Sequence, residues 1–182
     1  MPDSEVHWVA LVPQAQRGDG AARAALYELF ARAVHAIVLA HVGAGQAEDV
    51  TQEVFCAVFG SLATLRDPAA LPGFICTTAR NTARDALRRR RRSPKSSPAD
   101  ELTASGPGPA ASAEQRELAE RVLGCIQGLP EAYRETLVLR LVAGLSGLEI
   151  AERTGLTHGS VRVNLTRGMA MLRPLLQEAG LP

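Results

Sequence analysis

The chain has 182 residues, of which 46% are hydrophobic and 21% are charged, a balance that excludes a wholly disordered protein and predicts one or two folded domains. The net charge is only +1, but it is unevenly spread. Residues 61–99 hold nine Lys and Arg against two acidic residues, whereas residues 1–60 hold three against seven. A basic block inside a nearly neutral chain indicates nucleic acid or another anionic surface as a partner.

Several classes of protein are disfavoured by what the sequence lacks. The three cysteines, Cys56, Cys76 and Cys125, are far apart and odd in number, which argues against a disulfide framework or a zinc site. The histidines are dispersed, and there is no glycine-rich phosphate loop or nucleophile motif. We therefore expect no catalysis, no cofactor and no metal. The acidic N-terminus is unlike a signal peptide, so we also expect a cytoplasmic protein without membrane insertion.

Four helices are predicted in residues 1–92. The first runs from about Glu5 to Gln16, and Pro13 is expected to interrupt it or end it early. Apolar residues recur with helical spacing in the other three. The inward stripe of the second helix is Leu26, Leu29, Phe30, Ala33, Val34 and Ile37. After a break at Gly43 and Gly45, the stripe of the third helix is Val50, Val54, Ala57, Val58 and Leu62. The stripe of the fourth helix is Ile75, Ala79, Thr82, Ala83, Ala86 and Leu87.

Two of these helices carry strongly charged faces. The helix from about Gln46 to Leu62 is acidic on its polar side, at Glu48, Asp49 and Glu53. The next helix is cationic, because Arg80, Asn81, Arg84 and the run Arg88–Arg92 lie away from its apolar stripe. Such a run is either a solvated helix end or a phosphate-binding surface. The continuation of the charge upstream favours the second interpretation.

Residues 93–113 are rich in Pro, Ser, Ala and Gly, which predicts a flexible linker to a second domain over residues 114–182. Two helices follow it, with inward stripes at Leu118, Val122, Cys125, Ile126 and Leu129, and at Tyr133, Leu137, Val138 and Leu141. The predicted fold class is therefore all-α, with two small helical domains.

The end of the chain predicts a helix-turn-helix. Ser146 and Glu149 form a capping box, Gly155 supplies a left-handed stop, and Thr157 caps the next helix. The inward stripe of that helix is Val161, Leu165, Met169 and Leu172. Its outward residues include hydrogen-bond donors suited to base edges and phosphates, namely Arg162, Asn164, Thr166 and Arg167.

Three segments, in the same order along the chain, resemble segments of bacterial sigma factors. Residues 47–55 are similar to their polymerase-binding signature, and residues 71–85 with the following arginines resemble their promoter-melting and −10-reading helix. Residues 129–137 and the helix-turn-helix resemble their −35-reading domain. The small size and the short linker are typical of the extracytoplasmic-function (ECF) group. The resemblance extends from about Asp19 to Leu176.

The resemblance implies the fold and the function of a sigma initiation factor. The partners that it implies are promoter DNA and core RNA polymerase, through the β′ clamp helices and the β subunit, with an anti-sigma protein as a further candidate. The linker would thread toward the active-site and RNA-exit channel. The implied polymerase-binding residues are Glu48, Asp49, Gln52, Glu53 and Phe55; those for the −10 element are Phe74, Arg80, Asn81, Arg84, Arg88, Arg89, Arg91 and Arg92; those for the −35 element are Thr157, Ser160, Arg162, Val163, Asn164, Thr166 and Arg167.

Four positions depart from the family's pattern. Phe74 stands where Trp is common, and Thr77 where a basic residue is frequent. Val163 and Asn164 replace a frequent Ser and a frequent Arg, which predicts an unusual upstream specificity.

Two other function classes remain open from the sequence. A helix-turn-helix transcriptional regulator that is not a sigma subunit would explain the second domain, but such proteins normally bind as dimers and no dimerisation helix is evident. A helical adaptor that binds polymerase without DNA would explain the acidic helix but not the arginines.

Overall fold

The structure, a computed structural model, describes residues 7–92 and 113–181. These residues form eight α-helices and no strand, so the predicted all-α class is confirmed. The first domain holds α1 (His7–Gln16), α2 (Gly20–Val42), α3 (Ala44–Ser61) and α4 (Leu71–Arg92), with short 3₁₀ turns at Leu62–Thr64 and Pro68–Ala70. The second holds α5 (Ala113–Gln127), α6 (Glu131–Leu141), α7 (Gly147–Thr154) and α8 (His158–Glu178).

Helix α2 is the centre of the first domain. The Asp19 carboxylate caps it by accepting a hydrogen bond from the Ala22 N–H at 2.9 Å. Leu26, Phe30 and Ile37 are buried along it, where α1, α3 and α4 pack. By length and composition α2 could cross a membrane, but 56% of its most apolar window is buried inside the protein, which is the environment of a core helix.

Some predicted boundaries differ from the structure. Gly43 alone, at a φ of 80°, separates α2 from α3, and Gly45 lies inside α3. Pro13 lies inside α1 and neither interrupts it nor ends it early, since the burial of Val12 and Ala15 offsets the one hydrogen bond that a proline cannot donate. Most of the predicted linker, residues 93–112, lies outside the described residues. Its last residue, Ala113, instead begins α5.

Three predicted core residues are exposed, and one of them is Ala57 on α3. Leu118 is 41% exposed, because α5 is buried mainly toward its C-terminal end, at Ile126, with Leu129 just beyond it. Leu141 is 50% exposed because it is the last residue of α6, where the chain turns toward Gly144.

The helix-turn-helix is confirmed with its caps. Ser146 Oγ accepts a hydrogen bond from the Glu149 N–H at 3.2 Å, and the Ser146 N–H donates to Glu149 Oε2 at 2.7 Å. Gly155 has a φ of 72° and ends α7, and the Thr157 hydroxyl accepts from the Ser160 N–H at 3.1 Å to begin α8. Three local signals in sequence therefore set the angle at which α8 leaves the turn.

We expect Ser146→Ala to lower the free energy of unfolding by about 1 kcal/mol, since it removes one half of the capping box. The hydrogen bonds from Ser146 lower the pKa of Glu149, so the ionised cap contributes stability above the ordinary glutamate pKa and loses it as pH falls through the folded pKa. Urea unfolding at several pH values checks both points. Glu149→Gln is the matched control, because it keeps the box but should abolish this acid dependence.

Candidate protein and nucleic-acid interfaces

The acidic face of α3 lies on the surface of the first domain. Glu48, Asp49, Gln52 and Glu53 are exposed, because the Val50, Val54 and Val58 side chains turn the opposite face of the helix into the core. Glu53 is not a lone carboxylate: its Oε2 accepts a hydrogen bond from Arg89 Nη2 at 2.6 Å. The face can therefore offer carboxylates to a basic protein surface, with Asp49 at its centre.

Phe55 does not belong to that surface, which corrects the position expected from the resemblance. It is 4% exposed, and its ring centroid lies 4.6 Å from that of Tyr27 and 5.9 Å from that of Phe59. Burial of this aromatic cluster holds α3 against α2. Phe55 can position the acidic face, but it cannot touch a partner in this conformation.

Next to the acidic face, α2 and α3 form an open groove of about 350 Å³ that the sequence did not reveal. His35 lies in it, with its Nδ1 3.4 Å from the Thr51 hydroxyl. Partial burial lowers the pKa of His35, although Glu48 opposes the shift. At neutral pH this groove is therefore lined by an imidazole that favours the uncharged form.

The arginines of α4 divide into two sets. The five residues Arg88–Arg92 are exposed, as is Asn81, and Arg88 contacts Asp85 on its own helix at 3.2 Å. Arg80 and Arg84 instead contact the second domain. Arg80 Nε donates to both carboxylate oxygens of Glu135 at 2.9 Å, and Arg84 Nη2 donates to Glu131.

Phe74 is partly buried against the core at the start of α4. The turn of the helix-turn-helix packs there as well, because a Cβ added at Gly155 would lie 3.6 Å from the Gly73 nitrogen. Nearby, the Cys76 thiol donates to the Arg153 carbonyl at 3.3 Å. Burial raises the pKa of Cys76 to about 12, which keeps this donor protonated.

The outward face of α8 is exposed to solvent, as predicted for Arg162, Val163, Thr166 and Arg167. Asn164 differs, because its amide nitrogen points back toward the Thr136 hydroxyl of α6 at 3.5 Å. The helix therefore presents two guanidinium groups, one hydroxyl and one apolar side chain on a single face. Thr157 and Ser160 lie at its N-terminus, where their hydroxyls bond each other at 2.8 Å.

Comparison with known proteins covers both domains. Residues 26–93 match the family described as sigma-70 region 2, and residues 119–172 match sigma-70 region 4. The ECF RNA polymerase sigma-E factor of Escherichia coli K12 is 30% identical over 167 residues, which cover 86% of this chain and 87% of that protein. The chain belongs to the ECF group of the sigma-70 family.

Other similar proteins agree with this assignment. The probable RNA polymerase sigma factor RfaY of Xanthomonas campestris is 34% identical over 131 residues, although the chain spans only 33% of that protein's length. Among solved structures, CnrH in complex with the cytosolic domain of CnrY has a TM-score of 0.62 at 25% identity, covering 94% of this chain and 97% of CnrH. The RpoE–NepR complex of Bartonella quintana has a TM-score of 0.51 at 21% identity, covering 84% and 93%, and shares the fold. The relatives are sigma factors, and no catalytic family is indicated.

This sigma factor brings its two domains together through a charged cluster that sequence reasoning missed. Glu135 is 4% exposed and also bonds His41 Nε2 at 3.0 Å. Burial by itself would raise the pKa of Glu135, but the hydrogen bonds from His41 and Arg80 outweigh it and lower the pKa. His41, Glu131 and Glu135 bring possible metal ligands within 4.8 Å of one another, but Arg80 and Arg84 already neutralise the carboxylates.

Gly168 is a second residue that the sequence did not single out. It is buried on α8, and an added Cβ would lie 3.0 Å from Leu137 Cδ1 and 3.3 Å from Tyr133 Cβ. A side chain at this position would force Leu137 and Tyr133 to shift by a few tenths of an ångström, so glycine favours the close approach of α8 to α6. The signal available in the sequence was a glycine at helical spacing with Val161, Leu165 and Leu172.

Proposed function

We propose that this sigma factor binds core RNA polymerase through the acidic face of α3 and recruits it to promoters that α8 and α4 recognise. The observation that carries the proposal is the separation of charge on one chain. Exposed carboxylates lie on α3, whereas exposed guanidinium groups lie on α4 and α8. A protein that binds a basic protein surface and a polyanion at the same time needs an acidic surface and a basic surface at different places.

The assignment of roles follows the matched regions. Asp49, with Glu48, Gln52 and Glu53, would contact the β′ clamp helices. The arginines of α4, including Arg80 and Arg84, would bind the phosphates of the −10 element, with Asn81 and the loop before Phe74 near an unpaired base. On α8, Arg162 and Arg167 would read the −35 element, whereas Asn164 supports the packing of α8 on α6.

Further parts of the proposal rest on the relatives. CnrH was solved in complex with the cytosolic domain of CnrY, and RpoE in complex with the anti-sigma factor NepR. We expect an anti-sigma protein for this chain as well, and a place in the cytoplasm beside core polymerase. Residues 93–112 would form the linker between domains of residues 1–92 and 113–182, since Ala113 begins α5.

Run-off transcription with purified core polymerase tests the proposal. Genomic fragments transcribed only when this chain is added would define its promoters. If the chain were a helix-turn-helix regulator or an adaptor, and not a sigma subunit, core polymerase would initiate on none of the fragments. That result would overturn the proposed function.

The end of α4 is expected to supply sequence-independent affinity. Replacing both Arg91 and Arg92 with Ser should reduce the slope of log affinity against log salt by about 0.7–0.9 for each phosphate that is no longer bound. Holoenzyme binding to a promoter found by run-off transcription is measured across a salt series. The matched control replaces Arg17 and Arg66, which are exposed elsewhere in the first domain, and should leave the slope unchanged. An equal slope in both variants would show that the arginine run Arg88–Arg92 is a solvated helix end.

A further inference from the structure

We propose that the second domain inhibits the first by placing the carboxylates of Glu131 and Glu135 on the α4 arginines that bind −10 DNA. This inference rests on the proposed function, because it concerns the regulation of the same arginines. We refer to Arg80, Arg84, Glu131, Glu135 and His41 as the interdomain latch.

The centre of the latch is a buried carboxylate with three hydrogen bonds. Arg80 Nε lies 2.9 Å from both oxygens of Glu135, and His41 Nε2 lies 3.0 Å from one of them. Hydrogen bonds to an ionised group are stronger than neutral ones, and burial removes the competing water. Glu135 is thereby a fixed point at which α2, α4 and α6 meet.

The latch competes directly with DNA. A carboxylate and a phosphate present similar pairs of oxygens to a guanidinium group. Arg80 cannot offer its Nε–H to a phosphate while both oxygens of Glu135 accept from it. Glu131 extends the competition, since it bonds Arg84 and lies 3.9 Å from Arg80 Nε.

Contacts beyond the latch orient the two domains. Gln127 Nε2 donates to the Leu39 carbonyl at 3.1 Å, and Arg32 donates to the Ala143 carbonyl across the same boundary. Near the N-terminus of α4, the backbone around Gly155 packs on Gly73. The contact at Gly73 places the turn of the helix-turn-helix beside Phe74, at the start of α4.

One side of the interdomain latch is accessible to solvent, which allows it to open. The side chains of Arg80, Arg84 and Glu131 are 27%, 46% and 35% exposed, so water, salt and phosphates can reach one side of the cluster. The DNA-facing residues of α8 lie outside the closed surface. Recognition of the −35 element is therefore available in the closed protein, whereas contact of Arg80 and Arg84 with the −10 element requires the domains to separate.

The test uses the full chain with Glu131→Gln and Glu135→Gln combined. Removing both charges should favour the open protein and raise its affinity for a short fluorescein-labelled single-stranded DNA of mixed sequence. A coupling of ordinary size corresponds to about 5- to 150-fold. X-ray scattering should show a larger radius of gyration. The matched control, Glu152→Gln with Glu178→Gln, changes the net charge equally at exposed positions and should alter neither quantity.

The outcomes separate the two proposals. An affinity equal to that of the control variant, with normal initiation by the holoenzyme, would overturn the latch and leave the proposed function intact. Failure of the wild-type holoenzyme to initiate anywhere would overturn the proposed function. If loss of the buried carboxylate prevents folding, Glu131→Gln alone, at the exposed edge, should still increase DNA affinity several-fold; no increase would count against the latch.

Discussion

Asp49→Lys is expected to abolish initiation by this sigma factor while leaving its fold unchanged. Asp49 is exposed at the centre of the acidic face, and a like charge placed against a basic interface costs several kcal/mol. We expect the affinity for core polymerase to fall by roughly 30-fold or more, corresponding to about 2 kcal/mol at least. Exposed substitutions of this kind change the free energy of unfolding by only about 0.5 kcal/mol. Competition for core polymerase in run-off transcription measures the loss.

The choice of Asp49 follows from the structure. Reversal of Glu53 would also break its ion pair with Arg89 on α4, and would therefore mix two effects. Glu178→Lys, at the exposed end of α8, is the matched charge control and should retain full affinity. Normal binding by Asp49→Lys would place the polymerase interface elsewhere.

Arg162→Ala and Arg167→Ala are expected to relax the sequence preference of the holoenzyme at the −35 element alone. A well-placed arginine contributes about 1–3 kcal/mol of discrimination between bases. Transcription from a promoter library randomised at both elements should therefore show a loss of upstream preference of about 5- to 150-fold at the contacted position. The preference at the −10 element should persist.

Arg173→Ala provides the control on the same helix, because Arg173 is exposed closer to the C-terminus of α8. It should keep the parental preference. A uniform loss of activity at every sequence in Arg162→Ala or Arg167→Ala would assign that residue to a phosphate and not to a base. Unchanged preference and activity in both would exclude base reading by this face.

Local features of the fold could be predicted because neighbouring residues determine them. Ser146, Glu149, Gly155 and Thr157 interact within a few positions along the chain, so the caps and the turn follow from the sequence. The exposed face of α8 follows in the same way from the buried Val161 side of the helix. Periodicity shows which side of a helix is apolar.

Periodicity does not show what covers the polar side. Arg80 and Glu135 are 55 residues apart, and neither carries a local signal of the other. The burial of Phe55 does not follow from the sequence for a related reason, since an aromatic next to exposed acids can belong to either side of the helix until its partner Tyr27 is known. Long-range contacts of this kind require the packing of whole helices to be known.

The cover over α4 has a consequence for the life of the protein away from promoters. A cell is crowded with chromosomal DNA and messenger RNA, and an uncovered arginine-rich helix would be captured by their phosphates without regard to sequence. When only a small fraction of molecules is open, the apparent affinity of Arg80 and Arg84 for such competitors falls to that fraction of its intrinsic value. At Arg80 and Arg84 the carboxylates of α6 thereby act as an internal substitute for nucleic acid, and they reduce the non-specific capture of the unassembled protein.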